Sequence, residues 1–345
     1  MIELKSDSLR FSFPDVHPDA ALEINFQRTF RIPDDGKTYP LPPGFGNFPL
    51  RHVDDHAASV PPEWLDRGGV MLPMYQSEAM WLLFRPGYVN RRGTYPFAIK
   101  VAAGKIDAVT GKAWADGLTA KPQDYMVAPR QPWLDGFCVE KGTIRQFVAM
   151  PLGAGYTAEE QITGKAEHGG LQIVVYPMKR EVFERRFPER DPDFMERCYG
   201  VPAAAPAVKY RKRGADMGLA PGGRMKQEIY EDPFDFADWE QSEKSRCYVH
   251  IANSLVWRAI TGQSPPTTPP TAKEYAAAGL PWFDYYADGA KALSGSDKLA
   301  GLKSVATMAA EKGDVALPEN ESVTPETIVK LRQRMGKDEV RQGRF

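Results

Sequence analysis

The chain has 345 residues, of which 42% are hydrophobic and 26% charged, with 30 glycines and 30 prolines. Those proportions exclude a disordered, collagenous or coiled-coil chain and leave a turn-rich globular protein of one large or two ordinary domains. With 44 basic and 45 acidic side chains the net charge is −1, so no whole-molecule field draws nucleic acid or an acidic membrane surface.

The first strong pattern is Leu22, Ile24, Phe26, Arg28, Phe30 and Ile32 alternating with Glu23, Asn25, Gln27, Thr29 and Arg31. Period two over this length predicts a long antiparallel strand with one wet face, since a parallel strand covered on both sides would lack the polar set. Residues 33–69 follow with Pro40, Pro42, Pro43, Gly44, Gly46 and Pro49, a run that continues neither a ladder nor a helix and reads as irregular cover. Met80 to Phe84, which includes Trp81, reads as core. Phe97 to Val101 and Ile106 to Val109 form one hairpin, and Phe137 to Glu140 with Thr143 to Met150 form a second around Lys141-Gly142. Leu171 to Tyr176 and Cys247 to Ile251 read as inner strands.

Helix signals are fewer and mostly C-terminal. Thr157 with Glu160, and Thr271 with Glu274, match the reciprocal capping pattern, the second helix stopping near Gly279. Asn253-Ser254 caps a helix over 255–260 that ends at Gly262. One continuous helix is predicted from Asp297 to Glu311, and a terminal one starts at Thr324-Pro325-Glu326 with Ile328, Leu331 and Met335 on its apolar edge. Residues 200–226 break the pattern with glycines, prolines and Lys209-Tyr210-Arg211-Lys212-Arg213, then Pro221-Gly222-Gly223, and read as a solvated loop. The following stretch, 227–243, holds seven acidic and no basic residues, so the two blocks nearly cancel. Nucleic-acid binding through 209–226 is the third-ranked function on that ground.

These elements predict an α+β fold with a predominantly antiparallel core, two-layered or sandwich-like, built from residues 8–178 and a return strand near 246–252, with peripheral and C-terminal helices. Residues 1–262 form the β-rich body, interrupted at 200–226, and 263–345 form a proline-rich connector and helical appendage packed on it. No apolar run approaches the roughly 18 residues of a membrane span, and Met1 to Ser8 lacks the basic and apolar regions of a leader; a cytoplasmic protein is expected. Cys138, Cys198 and Cys247 contain no Cys-x-x-Cys pair and predict neither a disulfide framework nor a zinc ribbon.

Four groups of residues invite chemistry. His52 and His56 stand at i and i+4, the spacing zinc helices use, but lack the accompanying glutamate. Gly153, Gly155, Tyr156 and Thr157 lead from a strand into a helix, an arrangement that can offer backbone N–H groups to an anion. Glu167 and His168, before Gly169-Gly170, are the proton-transfer candidates beside that loop. Trp282, Phe283, Tyr285 and Tyr286 place four rings in five positions after a proline-rich connector, more than one strand or helix face hides, and point to a partner surface. No cofactor motif is present, and none of these groups specifies a reaction. A binding or assembly protein, with a protein partner or self-association through the C-terminal region, is the first expectation; an enzyme or sensor acting on a small anion is the second.

Overall fold

The computed structural model describes residues 1–189, 217–285, 287, 289–314 and 321–331. Among them, sixteen strands join in one sheet, whose main path runs Ile2–Lys5, Ser8–Ser12, Ala21–Phe30, Glu78–Pro86, Thr143–Pro151, Met217–Lys226, Ser245–Ala252, Leu171–Pro177, Phe97–Ala103 and Ile106–Asp107. Every pairing along this path is antiparallel. Parallel pairing enters through short side strands such as Thr38–Tyr39 against Met217–Lys226 and Val70–Pro73 against Ser245–Ala252. The fold is α+β with an antiparallel core and short helices around it.

Ala21–Phe30 is the long strand that the alternation predicts, but its second face is not wet. Leu22, Ile24, Phe26 and Phe30 are buried, and so are Asn25, Gln27, Arg28 and Thr29. Several of these polar groups have partners: on the second face Asn25 reaches Ser8 and Gln27 reaches Asn47, and on the first Arg28 forms an ion pair with Glu78 and donates to the Thr267 carbonyl, whereas Thr29 Oγ1 and Asn25 Oδ1 have no hydrogen-bond partner among the described residues. Most buried polar groups are matched in this way. The proline-rich stretch supplies part of the cover, since the Phe48 N–H donates to Phe26 O and Arg28 N–H to Gly46 O. It also holds a short helix, Pro62–Arg67, which the prolines do not announce.

Three further expectations are corrected. Met217–Lys226 is an inner strand paired with Thr143–Pro151, not part of a solvated loop. Its glycines serve close approach: a Cβ on Gly223 would lie 2.5 Å from Pro33 O, and one on Gly222 2.8 Å from the Val148 side chain. The pairing shifts register between Arg145 and Phe147, and Pro221, which has no N–H to give, sits beside that irregularity opposite Phe147. The remainder of the basic segment, residues 200–216, lies outside the described residues.

The helix predicted over 297–311 is two helices, Asp297–Ala300 and Val305–Lys312. Ser304 caps the second by accepting from the Thr307 N–H, which makes Gly301 to Ser304 a break. The predicted terminal helix is instead a strand, Ile328–Leu331, parallel to Trp282–Tyr285. Its β-branched residues find a free strand edge there, and tertiary pairing outweighs the capping signal. Met335 lies outside the described residues.

The hairpins, both capping boxes and the Asn253 cap form as predicted. The main hydrophobic core runs from Leu9 to Val323 and takes in Tyr275, Trp282, Leu299 and Leu302, so the C-terminal segment packs into the same interior as the body. Cys138 and Cys247 are buried thiols whose pKa burial pushes up to about 12. No helix of the described residues is long and apolar enough to cross a membrane.

Candidate functional site

The glycine loop and the His168 turn meet at one short helix, Ala158–Thr163, through two consecutive glutamates. Glu160 accepts from the Gly155 N–H at 2.7 Å and the Thr157 N–H at 3.2 Å. Glu159 is buried and accepts from the Glu167, His168 and Gly169 N–H groups at 3.0, 2.8 and 2.8 Å, with His168 Nδ1 2.9 Å from its Oε1. The donors that would receive an anion are therefore held by carboxylates of the protein itself, and an anionic ligand would have to displace Glu160. His168 pairs with Glu159 rather than with its neighbour Glu167, whose exposed carboxylate faces Lys165 at 3.0 Å and is held below its ordinary pKa by that ammonium. Tyr156 is buried and donates to Asp314. Gly153 turns the chain with φ +90°.

His52 and His56 fall in different elements, a two-residue strand at Arg51–His52 and a single 3-10 turn at Asp54–His56, so helical spacing does not relate them. Among the described residues, no three His, Cys, Asp or Glu side chains gather as a metal site. His250 is buried between the Trp64 and Tyr248 rings and bonds Gly68 O at 3.0 Å; burial lowers its pKa to about 4.

The aromatic segment borders two pockets. Trp282–Tyr285 is a strand, so its side chains alternate. Trp282 is fully buried against Phe30, Tyr39 and Tyr275, with ring centroids 5.3, 6.0 and 6.3 Å away. Phe283 and Tyr285, on the other face, each line a pocket. Tyr286 lies outside the described residues.

The two pockets share Trp133. The smaller, about 200 Å³, is walled by Pro42, Pro43, Trp81, Trp133 and Phe283, with Asp135 among its lining groups. The larger, about 820 Å³, brings together Tyr88, Arg92, Arg130, Phe234 and Tyr285 with the same Trp133. The Trp133 ring lies 4.6 Å from Tyr285 and 6.1 Å from Trp81. Trp81, expected in the core, is half-buried here and forms a pocket wall.

Asp135 is buried and anchored. Its backbone N–H donates to Gln227 Oε1 at 3.0 Å, Gln227 Nε2 donates to its Oδ2 at 2.6 Å, and its carbonyl accepts from the Phe147 N–H at 3.0 Å. Close approach of the next residue to its partner strand fixes the segment further, since a Cβ on Gly136 would stand 1.9 Å from Arg145 O. Burial raises the carboxyl pKa to about 8, against the opposing pull of the Gln227 and Trp133 side-chain hydrogen bonds.

Trp133, Asp135 and Gln227 are absent from the residues that sequence patterns single out. Trp133 and Asp135 lie in a short proline- and glycine-bounded segment, Pro132-Trp133-Leu134-Asp135-Gly136, and Gln227 is 92 residues further on. A Trp two positions from an acid in so short a segment is the single local hint. No family model, curated protein or solved structure matches this chain, so the site rests on its own geometry.

Proposed function

We propose that this chain is a binding protein whose ligand lies in the aromatic cleft on both sides of Trp133. The supporting observation is the shared wall: one tryptophan borders two pockets, with Trp81 and Phe283 on one side and Tyr285 on the other. Concave, aromatic-lined surfaces with a few convergent polar groups are the usual form of small-molecule sites, and half-exposed large rings left together on a surface mark contact with something else. The cleft has apolar walls for an aromatic or aliphatic body. Asp135 is the acidic group at the smaller pocket, and Arg92 and Arg130 are the cations at the larger.

A fluorescent probe tests this reading. Anilinonaphthalene sulfonate combines an aromatic body with one anionic group and suits the larger pocket. It should bind the folded protein at one site per chain, and Trp133→Ala with Tyr285→Ala should weaken it at least about tenfold, one ring contact amounting to about 0.5–1.5 kcal/mol beyond its buried area. Equal binding by the native protein and the double variant, with both folded by circular dichroism, sinks the proposal.

A second reading, acid–base chemistry at Asp135, is favoured by one specific observation. A carboxyl that keeps its proton to about pH 8 beside an open pocket is suited to proton donation near neutrality.

A further inference from the structure

The described residues include six buried acidic side chains: Glu78, Asp107, Asp124, Asp135, Glu159 and Asp238. Four face a cationic or basic partner of the protein: Glu78 pairs with Arg28, Asp124 with Lys100, Asp238 with Arg186 and Glu159 with His168. Asp107 closes its own turn, accepting from the Val109 and Thr110 N–H groups and the Thr110 hydroxyl. Asp135 differs from all five. Its side-chain partners, Gln227 and Trp133, are neutral, and it lines an open pocket.

We infer that the smaller pocket receives the head group of an N-methylated organic cation, with the Trp81, Trp133 and Phe283 rings as its walls and the Asp135 carboxylate as its counter-ion. The inference rests on the proposed binding role of the cleft and names the ligand chemistry of one end. Aromatic rings attract a cation through their quadrupole, and quaternary ammonium groups are the ligands that clusters of such rings recognise best. The pocket is unsuited to the alternatives. A hard metal ion takes six to eight oxygen ligands, whereas prolines and rings make up most of this wall. A primary ammonium brings three N–H donors that need acceptors. An N-methylated ammonium brings charge with no such demand. A cavity of about 200 Å³ has room for one compact head group.

The charge state of Asp135 then governs binding. Burial holds its proton on up to about pH 8, so an incoming cation must expel that proton. Charged groups on the adjoining strands have partners of their own, Arg145 with Asp34 at 3.5 Å and the Gly222 carbonyl at 3.0 Å. Lys226 and Asp284 face each other at 3.8 Å, and the Tyr285 ring packs on Trp133 with Arg130 nearby. Affinity for the cation should rise about tenfold per pH unit between 6 and 8 and flatten above.

The decisive comparison is choline chloride against its neutral isostere 3,3-dimethylbutan-1-ol, titrated calorimetrically from pH 6 to 9 into the native protein and Asp135→Asn. Choline should bind once per chain, about a hundredfold tighter at pH 8 than at pH 6, and at least tenfold tighter than the alcohol at pH 8. In Asp135→Asn the choline affinity should fall to that of the alcohol and lose its pH dependence. Phosphatidylcholine vesicles distinguish the source of the head group. Co-sedimentation of the native protein but not of Asp135→Asn assigns it to a lipid, and choline binding without co-sedimentation assigns it to a free molecule; either supports the inference. Equal affinity for choline and the alcohol overturns it while leaving the aromatic cleft as a binding site. Absence of choline binding at pH 9, with Trp133-dependent sulfonate binding intact, also overturns the inference alone. Loss of Trp133 dependence in the sulfonate assay removes the binding reading itself.

Discussion

Replacing Asp135 by Asn should stabilise the protein at neutral pH, by an amount that grows with pH. In the unfolded chain this carboxyl ionises near its ordinary value of about 3.9, whereas burial in the fold raises its pKa to about 8. The folded pKa is the higher one, so relative stability is greatest below pH 3.9 and declines as pH rises through 8. Between those limits the unfolded state releases a proton that the folded state retains, at about 1.4 kcal/mol per pH unit. The penalty reaches about 4 kcal/mol at pH 7 and levels off near 6 kcal/mol above pH 8, a large share of a typical folding free energy of about 5–15 kcal/mol. Asn has the same shape and does not titrate. Its amide meets the Gln227 and Trp133 donors less well than a carboxyl oxygen does, which adds a constant offset without changing the slope. Urea denaturation at pH 5, 6, 7, 8 and 9 reads the slope directly. The variant should gain on the native protein by about 1.4 kcal/mol per unit up to pH 8 and no further. A stability difference that stays constant across this range would falsify the assignment of Asp135 as a buried, proton-retaining acid.

Two other perturbations probe the rest of the molecule. Glu159→Ala leaves three backbone N–H groups, the Gly169 one buried and the other two part-buried, and the His168 ring without their acceptor; it should cost about 2–4 kcal/mol in urea denaturation, the buried donor at about 1–3 kcal/mol and the part-buried ones less, with Glu159→Gln losing less. A cost below about 1 kcal/mol for the Ala variant would show that this carboxylate does not hold the turn together. His250 is buried neutral with its pKa lowered to about 4, so the native protein should lose about 3 kcal/mol between pH 6.5 and 4 as the unfolded imidazole takes up a proton that the folded one refuses. His250→Phe should lack that loss over the same window, and an unchanged acid profile in the variant would rule out His250 as its source.

Local sequence carries the elements whose causes are local. Period two in Leu22 to Ile32, the Lys141-Gly142 turn and the Thr157–Glu160 and Thr271–Glu274 boxes depend on residues within a few positions of one another, and all form in the structure. The same holds for the Asn253 cap and Gly262 stop of Ser254–Thr261. What local sequence misreads is set by distant partners. Pro221-Gly222-Gly223 looks like a turn because nothing nearby reveals that Pro33 and Val148 press against it. Ile328 to Leu331 looks like a helix face because its pairing strand is more than forty residues away. The four-ring segment was legible as too aromatic for one face, and alternation along a strand divides it. Asp135 was not legible, since its importance comes from its neutral partners Gln227 and Trp133 and from the pocket beside it, which only three dimensions reveal.

The smaller pocket draws its wall from residues 41–44, 81, 133, 135, 283 and 331, with Gln227 behind it. Almost the whole described length must therefore leave the ribosome before the last side of this receptacle exists, and an early folding fragment would lack part of the wall around the proposed ligand. Proteolytic pieces should likewise be inert unless they stay assembled. Occupancy of this cleft would thus report on the completed chain as a whole, and a ligand that fits it would act as a pharmacological chaperone for the entire fold, not only for the strands it touches.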